Sequence, residues 1–370
     1  MYLFKKTFSI KYFYTLALMV FVIFSGSFSI IGSLRFIEVL VPIFALFMIF
    51  LNRYIVPFGS ISRTYLIFLA LILVFGLYQF DNNSLFAIRL ANSLIACATL
   101  YYLATRDEFF VMYPQYLLIA SSFLYFVGIY TYFWEYTYIF SLLLAPLIYY
   151  RKLLFALLDI ALLLSIGQRT SILNIGYIIF NVFFYGKLNL SRSIYIIVII
   201  SLIFLSFTYL DIRALNAYKD LSFSEIYSAI ASAIDIAGSY SYEEFVYGDA
   251  RYDVSEGEDL SLSWRLRKWG HAVASSNLYS LFFGLGPGYF GRAADSGWIR
   301  LFFEYGIIIF SIFLSLVFKI YKAANPLQRL IIGIFFISNI FLDILYSPLL
   351  MGFTGLLLGL SSLKNYELRT

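Results

Sequence analysis

Apolar length constrains this sequence more than any other feature. Twelve stretches carry almost no charge over enough residues to cross, or nearly cross, about 30 Å of hydrocarbon. They fall at 12–31, 37–51, 64–78, 85–104, 111–133, 136–150, 153–166, 171–185, 193–209, 298–318, 330–345 and 349–363. Several are shorter than the roughly 17 residues of a straight span, so tilting or local thinning of the bilayer is expected there. Charged residues make up 13% of the chain, against about 25% in a soluble globular protein. The expected fold is an all-α polytopic membrane protein of about twelve transmembrane helices.

Lys5, Lys6 and Lys11 precede the first run in the manner of a secretory signal. No small-residue cleavage site follows and further spans do, so an uncleaved first helix is expected. With the N-terminus in the cytoplasm, fifteen of the 26 Lys and Arg fall in inner connections, and the short outer ones keep only Arg35 and Arg169. Both termini are therefore assigned to the cytoplasm. Arg89 lies within a span, and the remaining positive residues belong to one long outer loop or its end. The chain divides into spans 1–9 at 1–210, a large outer loop at 211–297, and spans 10–12 at 298–370.

That loop carries twelve acidic and seven basic residues and is too long for a passive connector. Ser222 and Glu225 form a capping-box pattern, and Ile226, Ile230 and Ile234 follow at helical spacing, so an amphipathic helix is expected before Gly238. The piece at 240–259 is acidic, tyrosine-rich and aperiodic, which reads as an irregular flap. A second helix is expected at 262–277, with Leu262, Leu266, Trp269 and Val273 on its packed face and Arg265, Lys268 and His271 more exposed.

Arg265, Arg267, Lys268, Arg292 and Arg300 gather with Asp295 at the mouth of a strongly apolar segment. Charge held against a bilayer is costly unless it is paired or meets a polar ligand, so this cluster points to an anion-binding site. Arg169, in Gln168-Arg169-Thr170-Ser171, lies on the outer side where positive residues are disfavoured; a snorkelling helix-end arginine is the plainer alternative. Arg265 has the plainer alternative of pairing with the loop's surplus carboxylates. The glycines of Gly284-Leu285-Gly286-Pro287-Gly288 leave backbone amides open to a ligand, or serve only to turn the chain. Asp295 and Ser296 precede a span, so either is a candidate N-cap; with Arg300 in the first turn, the same place suits a phosphate beside a proton-accepting carboxylate.

Other chemistries find little support. His271 and Cys97 are the only histidine and cysteine, which argues against a His/Cys metal site, a Ser-His-Asp triad and a disulfide framework. Glu256, Glu258 and Asp259 lack calcium-loop spacing. The formal net charge of +5 is scattered over loops, so no nucleic-acid partner is expected. Arg35 and Arg89 are candidates to line an inner cavity.

Gln168-Arg169-Thr170-Ser171, Arg265 with Trp269, Gly284 to Gly288, Asp295-Ser296-Gly297-Trp298-Ile299-Arg300 and Tyr305-Gly306 together resemble the O-antigen polymerase and ligase superfamily of bacterial envelope glycan assembly. Twelve spans, one large outer loop late in the chain and cytoplasmic termini fit that architecture, a GT-C-like fold. Ligases of the superfamily typically place a histidine where this chain has Asp295, so the resemblance favours a polymerase. It implies a metal-independent glycosyltransferase without cofactor in the bacterial inner membrane, its large loop periplasmic. Donor and acceptor would both be glycan repeat units on undecaprenyl pyrophosphate, with membrane lipids and a chain-length regulator as further partners. In that scheme Arg169 and Arg265 hold the departing pyrophosphate, Asp295 serves as base or orients the acceptor hydroxyl, and Arg292, Arg300, Trp269, Gly286 and Gly288 bind substrate. A ligase acting on lipid A core and a lipid-linked oligosaccharide flippase are the alternatives; the absence of a visible two-fold repeat argues against transport.

Overall fold

The computed structural model describes residues 10–27, 29–31, 34–40, 42–43, 60–78, 84–105, 112–127, 133–166, 169–185, 260–291 and 294–363. The expected span at 193–209, the amphipathic helix before Gly238, the flap at 240–259 and Arg292 lie outside these residues, as do the side chains of several helix ends, that of Arg169 among them. The described residues are helical apart from their connections and one small β-ribbon. The helices are α1 (Ile10–Ser27), α2 (Ser60–Tyr78), α3 (Ser84–Ala104), α4 (Pro114–Phe126), α5 (Phe133–Tyr149), α6 (Leu153–Ile166) and α7 (Arg169–Tyr185). After the undescribed stretch come α8 (Leu260–Ala274), α9 (Leu278–Phe283), α10 (Gly297–Ala323), α11 (Pro326–Ser338) and α12 (Pro348–Leu360), with a 3-10 turn at Ile344–Tyr346. Strands β1 (Ser29–Ile31) and β2 (Leu34–Arg35) pair antiparallel.

Helices α5 and α12 form the centre. Every residue of α5 from Glu135 to Leu147 is buried, as is every residue of α12 from Pro348 to Leu357. A helix apolar on all sides needs neighbours on all sides. α12 packs along α3 and also against α1 and α5, while α5 touches α4, α6, α7 and α11. The α3–α12 seam is close because α12 presents glycine: a Cβ on Gly355 would collide with the backbone carbonyl of Cys97, and one on Gly359 with that of Tyr101. The Gly-x-x-x-Gly pair at 355 and 359 is the small-residue device by which helices approach without a hydrophobic driving force.

The outer faces of peripheral helices are themselves apolar. Phe21, Phe24, Leu66, Ile67, Val74, Phe123, Phe126, Leu154 and Leu158 are all exposed. Among the described residues two helical stretches, Leu85–Ala104 and Gly297–Ala323, are long and apolar enough to cross a membrane, and the other apolar helices are shorter.

Several polar contacts between helices lie at the two ends of the bundle, and one, Tyr138 with Thr354 at 2.8 Å, joins α5 to α12 in its interior. At one end Arg35 reaches Glu135 at 2.6 Å, Arg89 reaches Glu38 at 2.9 Å, and Ser347 donates to Glu135 at 3.4 Å. At the other, Lys319 donates to Thr64 at 2.8 Å, and Asn325 and Gln328 donate to the carbonyls of Ser361 and Leu358.

Two apolar runs fold differently from their lengths. The stretch at 330–345 is not one helix: α11 ends at Ser338, and the chain turns so that Asp343 meets Arg300 before Ser347 caps α12 with Pro348 in its first turn. The run at 298–318 extends into a 27-residue helix, α10, broken at Gly306, where φ is 74° and ψ 173°.

Candidate functional site

Helix α8 lies over the segment that leads from α9 into α10. Its orientation departs from the sequence expectation at three positions: Lys268 and His271 are buried and Val273 is 47% exposed, while Trp269 packs as expected. The surface beneath α8 is mixed: Ala272 and Trp269 pack on an apolar cluster with Phe290 and Ala294, and polar groups of the same segment meet Lys268 and His271. Lys268 Nζ lies 3.5 Å from Asp295 Oδ2, Trp269 Nε1 donates to the carbonyl of Ala294 at 3.0 Å, and His271 Nδ1 is 2.6 Å from the Tyr289 hydroxyl. Burial pushes the Lys268 ammonium below its ordinary pKa of 10.5, and Asp295 and Asp343 offset only part of that shift. Burial also raises the Tyr289 hydroxyl, against a hydrogen bond to Ser275 that lowers it.

Of the two N-cap candidates, Ser296 has the role: its side chain accepts from Ile299 N and donates to the Asn339 carbonyl. Asp295, one residue earlier, sits at φ 58° with its side chain a third exposed. A non-glycine residue in this left-handed region carries local strain that its surroundings must hold in place. Here the holders are Trp269 on the Ala294 carbonyl, Asp343 on the Ala294 amide at 2.8 Å, and the Ser296 cap.

Arg300 lies below, in the first turn of α10, and is 1% exposed. Its guanidinium donates to Glu304 Oε1 at 3.1 Å, Asp343 Oδ2 at 3.2 Å and the Gly291 carbonyl at 2.7 Å, and it stacks on the Tyr346 ring at 3.9 Å. Tyr346 donates to the other oxygen of Glu304 at 2.9 Å. Arg300 is thus a buried brace joining α10, the turn before it and the α11–α12 connection. A substrate-contacting role is not what its geometry provides.

The glycine turn is likewise spent internally. Gly284, Gly286, Gly288 and Gly291 all have positive φ. The Leu285 amide donates to the Phe303 carbonyl at 2.6 Å, the Gly286 amide to the Glu304 carbonyl at 3.1 Å, and the Gly288 backbone to the Glu304 carboxylate. A Cβ on Gly288 would press on the Phe86 ring. Gly286 and Gly288 therefore shape the turn and do not offer free amides to a ligand.

Arg265 is half-buried on α8, three residues before Lys268 and four before Trp269, so it shares their side of the helix. Its Nε is buried without a hydrogen-bond partner. A guanidinium nitrogen taken out of water and left unpaired is costly, which makes it the cationic group here best suited to receive an anion. Arg169 is the first residue of α7; five residues on, Asn174 donates to Ser338 at 2.8 Å, beside the Asn339 that abuts Gly297. The end of α7 bearing Arg169 is thereby the end at which α10 begins.

The structure therefore brings Lys268, Trp269, Asp295 and Arg300 into one assembly and adds Glu304, Asp343 and Tyr346, which the sequence reading did not single out. A signal existed for two of them: Glu304 follows Arg300 by four residues, and both Glu304 and Asp343 interrupt apolar runs, where carboxylates are expensive. Among the described residues no three His, Cys, Asp or Glu side chains gather as a metal ligand set. Chemically, the arrangement can bind an anion at Arg265 and Lys268 next to a reachable carboxylate at Asp295.

Models of known protein families yield no match to this chain. Curated protein sequences yield none either.

Proposed function

We propose that this chain is a polytopic membrane glycosyltransferase of the O-antigen polymerase kind. It would join lipid-pyrophosphate-linked glycan units at the outer face of the bacterial inner membrane. One observation carries the reading: at one end of an apolar helical bundle, a buried lysine meets a reachable aspartate on strained backbone, one helical turn from an arginine whose Nε is buried without a hydrogen-bond partner. The apolar exterior of the peripheral helices supports a bundle embedded in a membrane.

In the reaction, the bond between the donor sugar's anomeric carbon and the pyrophosphate oxygen breaks, and that carbon bonds to an acceptor hydroxyl. The hydroxyl proton passes to Asp295, and the electron pair leaves with pyrophosphate. Arg265 neutralises the charge developing on the leaving group, with Arg169 as a second cation from α7. Lys268 fixes the Asp295 carboxylate and adds to the positive field. Trp269, bonded to the Ala294 carbonyl, holds α8 in register over that carboxylate.

The test is the surface glycan of cells whose only copy is Arg265→Ala or Asp295→Asn, with membrane insertion verified. Loss of transition-state stabilisation of roughly 10²- to 10³-fold should leave single repeat units in place of polymer. Normal chain lengths in both variants would overturn the reading. Polymer stranded on its lipid carrier would instead indicate a ligase.

A transporter is the second reading, and one residue favours it. Asp159, midway along α6, is fully buried with neither carboxylate oxygen hydrogen-bonded. An isolated acid at that depth is the kind of group proton-coupled carriers use. Lipid-linked units trapped on the cytoplasmic side in Asp159→Asn cells would select this reading.

A further inference from the structure

The segment from Leu278 to Gly291 belongs by sequence to the outer loop, yet its contacts place it beside the interior of α10. The carbonyl of Phe282 abuts Gly306, and Gly284 abuts the backbone of Glu304 and Tyr305. Lys319, which bonds Thr64 at 2.8 Å, marks the far end of α10. Thirteen residues separate Gly306 from Lys319, about 20 Å of helix, whereas the hydrocarbon layer is about 30 Å thick. With Lys319 at the inner boundary, the layer would end near the first turn of α10, and Phe282 and Gly306 would lie roughly 10 Å beneath its outer boundary.

The hairpin is chemically suited to that depth. Breaking α10 at Gly306 costs its backbone helical bonds, which lipid cannot replace. The hairpin supplies the replacements, the Leu285 amide to Phe303 and the Gly286 amide to Glu304. The first turn of α9 is closed by a reciprocal Asn277–Ser280 capping box at 2.8 Å both ways, and the Gly284 amide donates back to Ser280. Its outward side chains are apolar: Leu278 and Tyr279 are 75% and 65% exposed, Phe282 and Phe283 are also exposed, and Ile307 and Ile308 on α10 are exposed as well. Water would make such a surface unfavourable; hydrocarbon would not.

We infer that residues 278–291 form a re-entrant hairpin whose α9 face is immersed in the acyl chains of the outer leaflet, packed against the break in α10. The occupant of this surface is bilayer lipid. The inference rests on the membrane-spanning reading above.

Site-directed spin labelling tests it in phospholipid nanodiscs, using full-length protein with Cys97→Ala as background. Single cysteines go in at Phe282 and Phe283 on the hairpin, at Val74 on the exposed face of α2 as a lipid reference, and at Ala274 at the end of α8 as a reference outside the hairpin. Labels at 282 and 283 should match Val74→Cys, relaxed strongly by oxygen and weakly by a water-soluble nickel chelate, with the opposite preference at Ala274→Cys. If 282 and 283 follow Ala274→Cys while Val74→Cys keeps its lipid signature, the hairpin lies in water and the inference fails alone. Nickel access at Val74→Cys would remove the spanning reading and the hairpin together.

Discussion

Replacing Arg300 with methionine should destabilise the chain more than any change at the exposed end of the site. The guanidinium is the charged partner of two carboxylates, Glu304 at 0% and Asp343 at 10% side-chain exposure, and it also donates to Gly291. Removing one partner of a buried pair strands the other, a cost of about 3–5 kcal/mol. An unfolding entropy of about 2.1 cal/mol/K per residue gives roughly 0.8 kcal/mol/K for a chain of 370 residues, so the midpoint should fall by about 4–6 °C. Cys97 provides the assay: it is the only cysteine and sits on the α3–α12 seam, so a thiol-reactive fluorophore in detergent reports opening of the core. Adding Glu304→Gln should return part of the loss, because the glutamine oxygen still accepts from Tyr346 and one stranded charge is gone. The coupling expected between such neighbours is about 1–3 kcal/mol. A midpoint within 1 °C of wild type for Arg300→Met, or strict additivity in the double variant, would refute the brace and return Arg300 to a ligand-facing role.

The α3–α12 seam predicts opposite effects for one substitution at two glycines. Gly355→Ala drives a methyl into the Cys97 carbonyl and should lower the midpoint, whereas Gly176→Ala, with nothing within 4 Å of the added carbon, should be neutral or stabilise by roughly 0.5–1 kcal/mol through helix propensity. For Lys268, the folded pKa lies below 10.5, so in the interval beneath that value the unfolded chain binds more protons and stability rises with pH. Among the described residues, Asp295, Asp343 and Arg300 are charged groups that face it. Tyr289, raised from 10.0, acts in the opposite sense only above its ordinary value. The thermal midpoint of wild type should therefore rise relative to that of Lys268→Met as pH climbs toward 10.5; parallel profiles would contradict the burial argument.

Local rules were enough for the helices themselves. The apolar runs at 64–78, 85–104 and 153–166 correspond to Ser60–Tyr78, Ser84–Ala104 and Leu153–Ile166, because a long uncharged run needs its backbone bonds satisfied within itself. The helix expected at 262–277 forms as Leu260–Ala274 for the same local reasons. Arg265, Trp269 and Asp295 were legible as charge and aromatic groups out of keeping with their surroundings. What periodicity missed was the burial of Lys268 and His271, since that depends on what lies beneath: a segment that offers Asp295 and Tyr289 beside its apolar Phe290 and Ala294.

Sequence alone therefore determined most of the helices among the described residues and where charge accumulates, both consequences of short-range chemistry along the backbone. Only the tertiary structure decided which charges are already satisfied. Arg265 and Arg300 look alike in the sequence, but Arg300 is matched by Glu304 four residues on and Asp343 forty-three residues on, while Arg265 keeps a buried nitrogen without a partner. Pairing energy depends on distance in space and on exclusion of water, and for Asp343 and the glycine turn neither is encoded in local spacing.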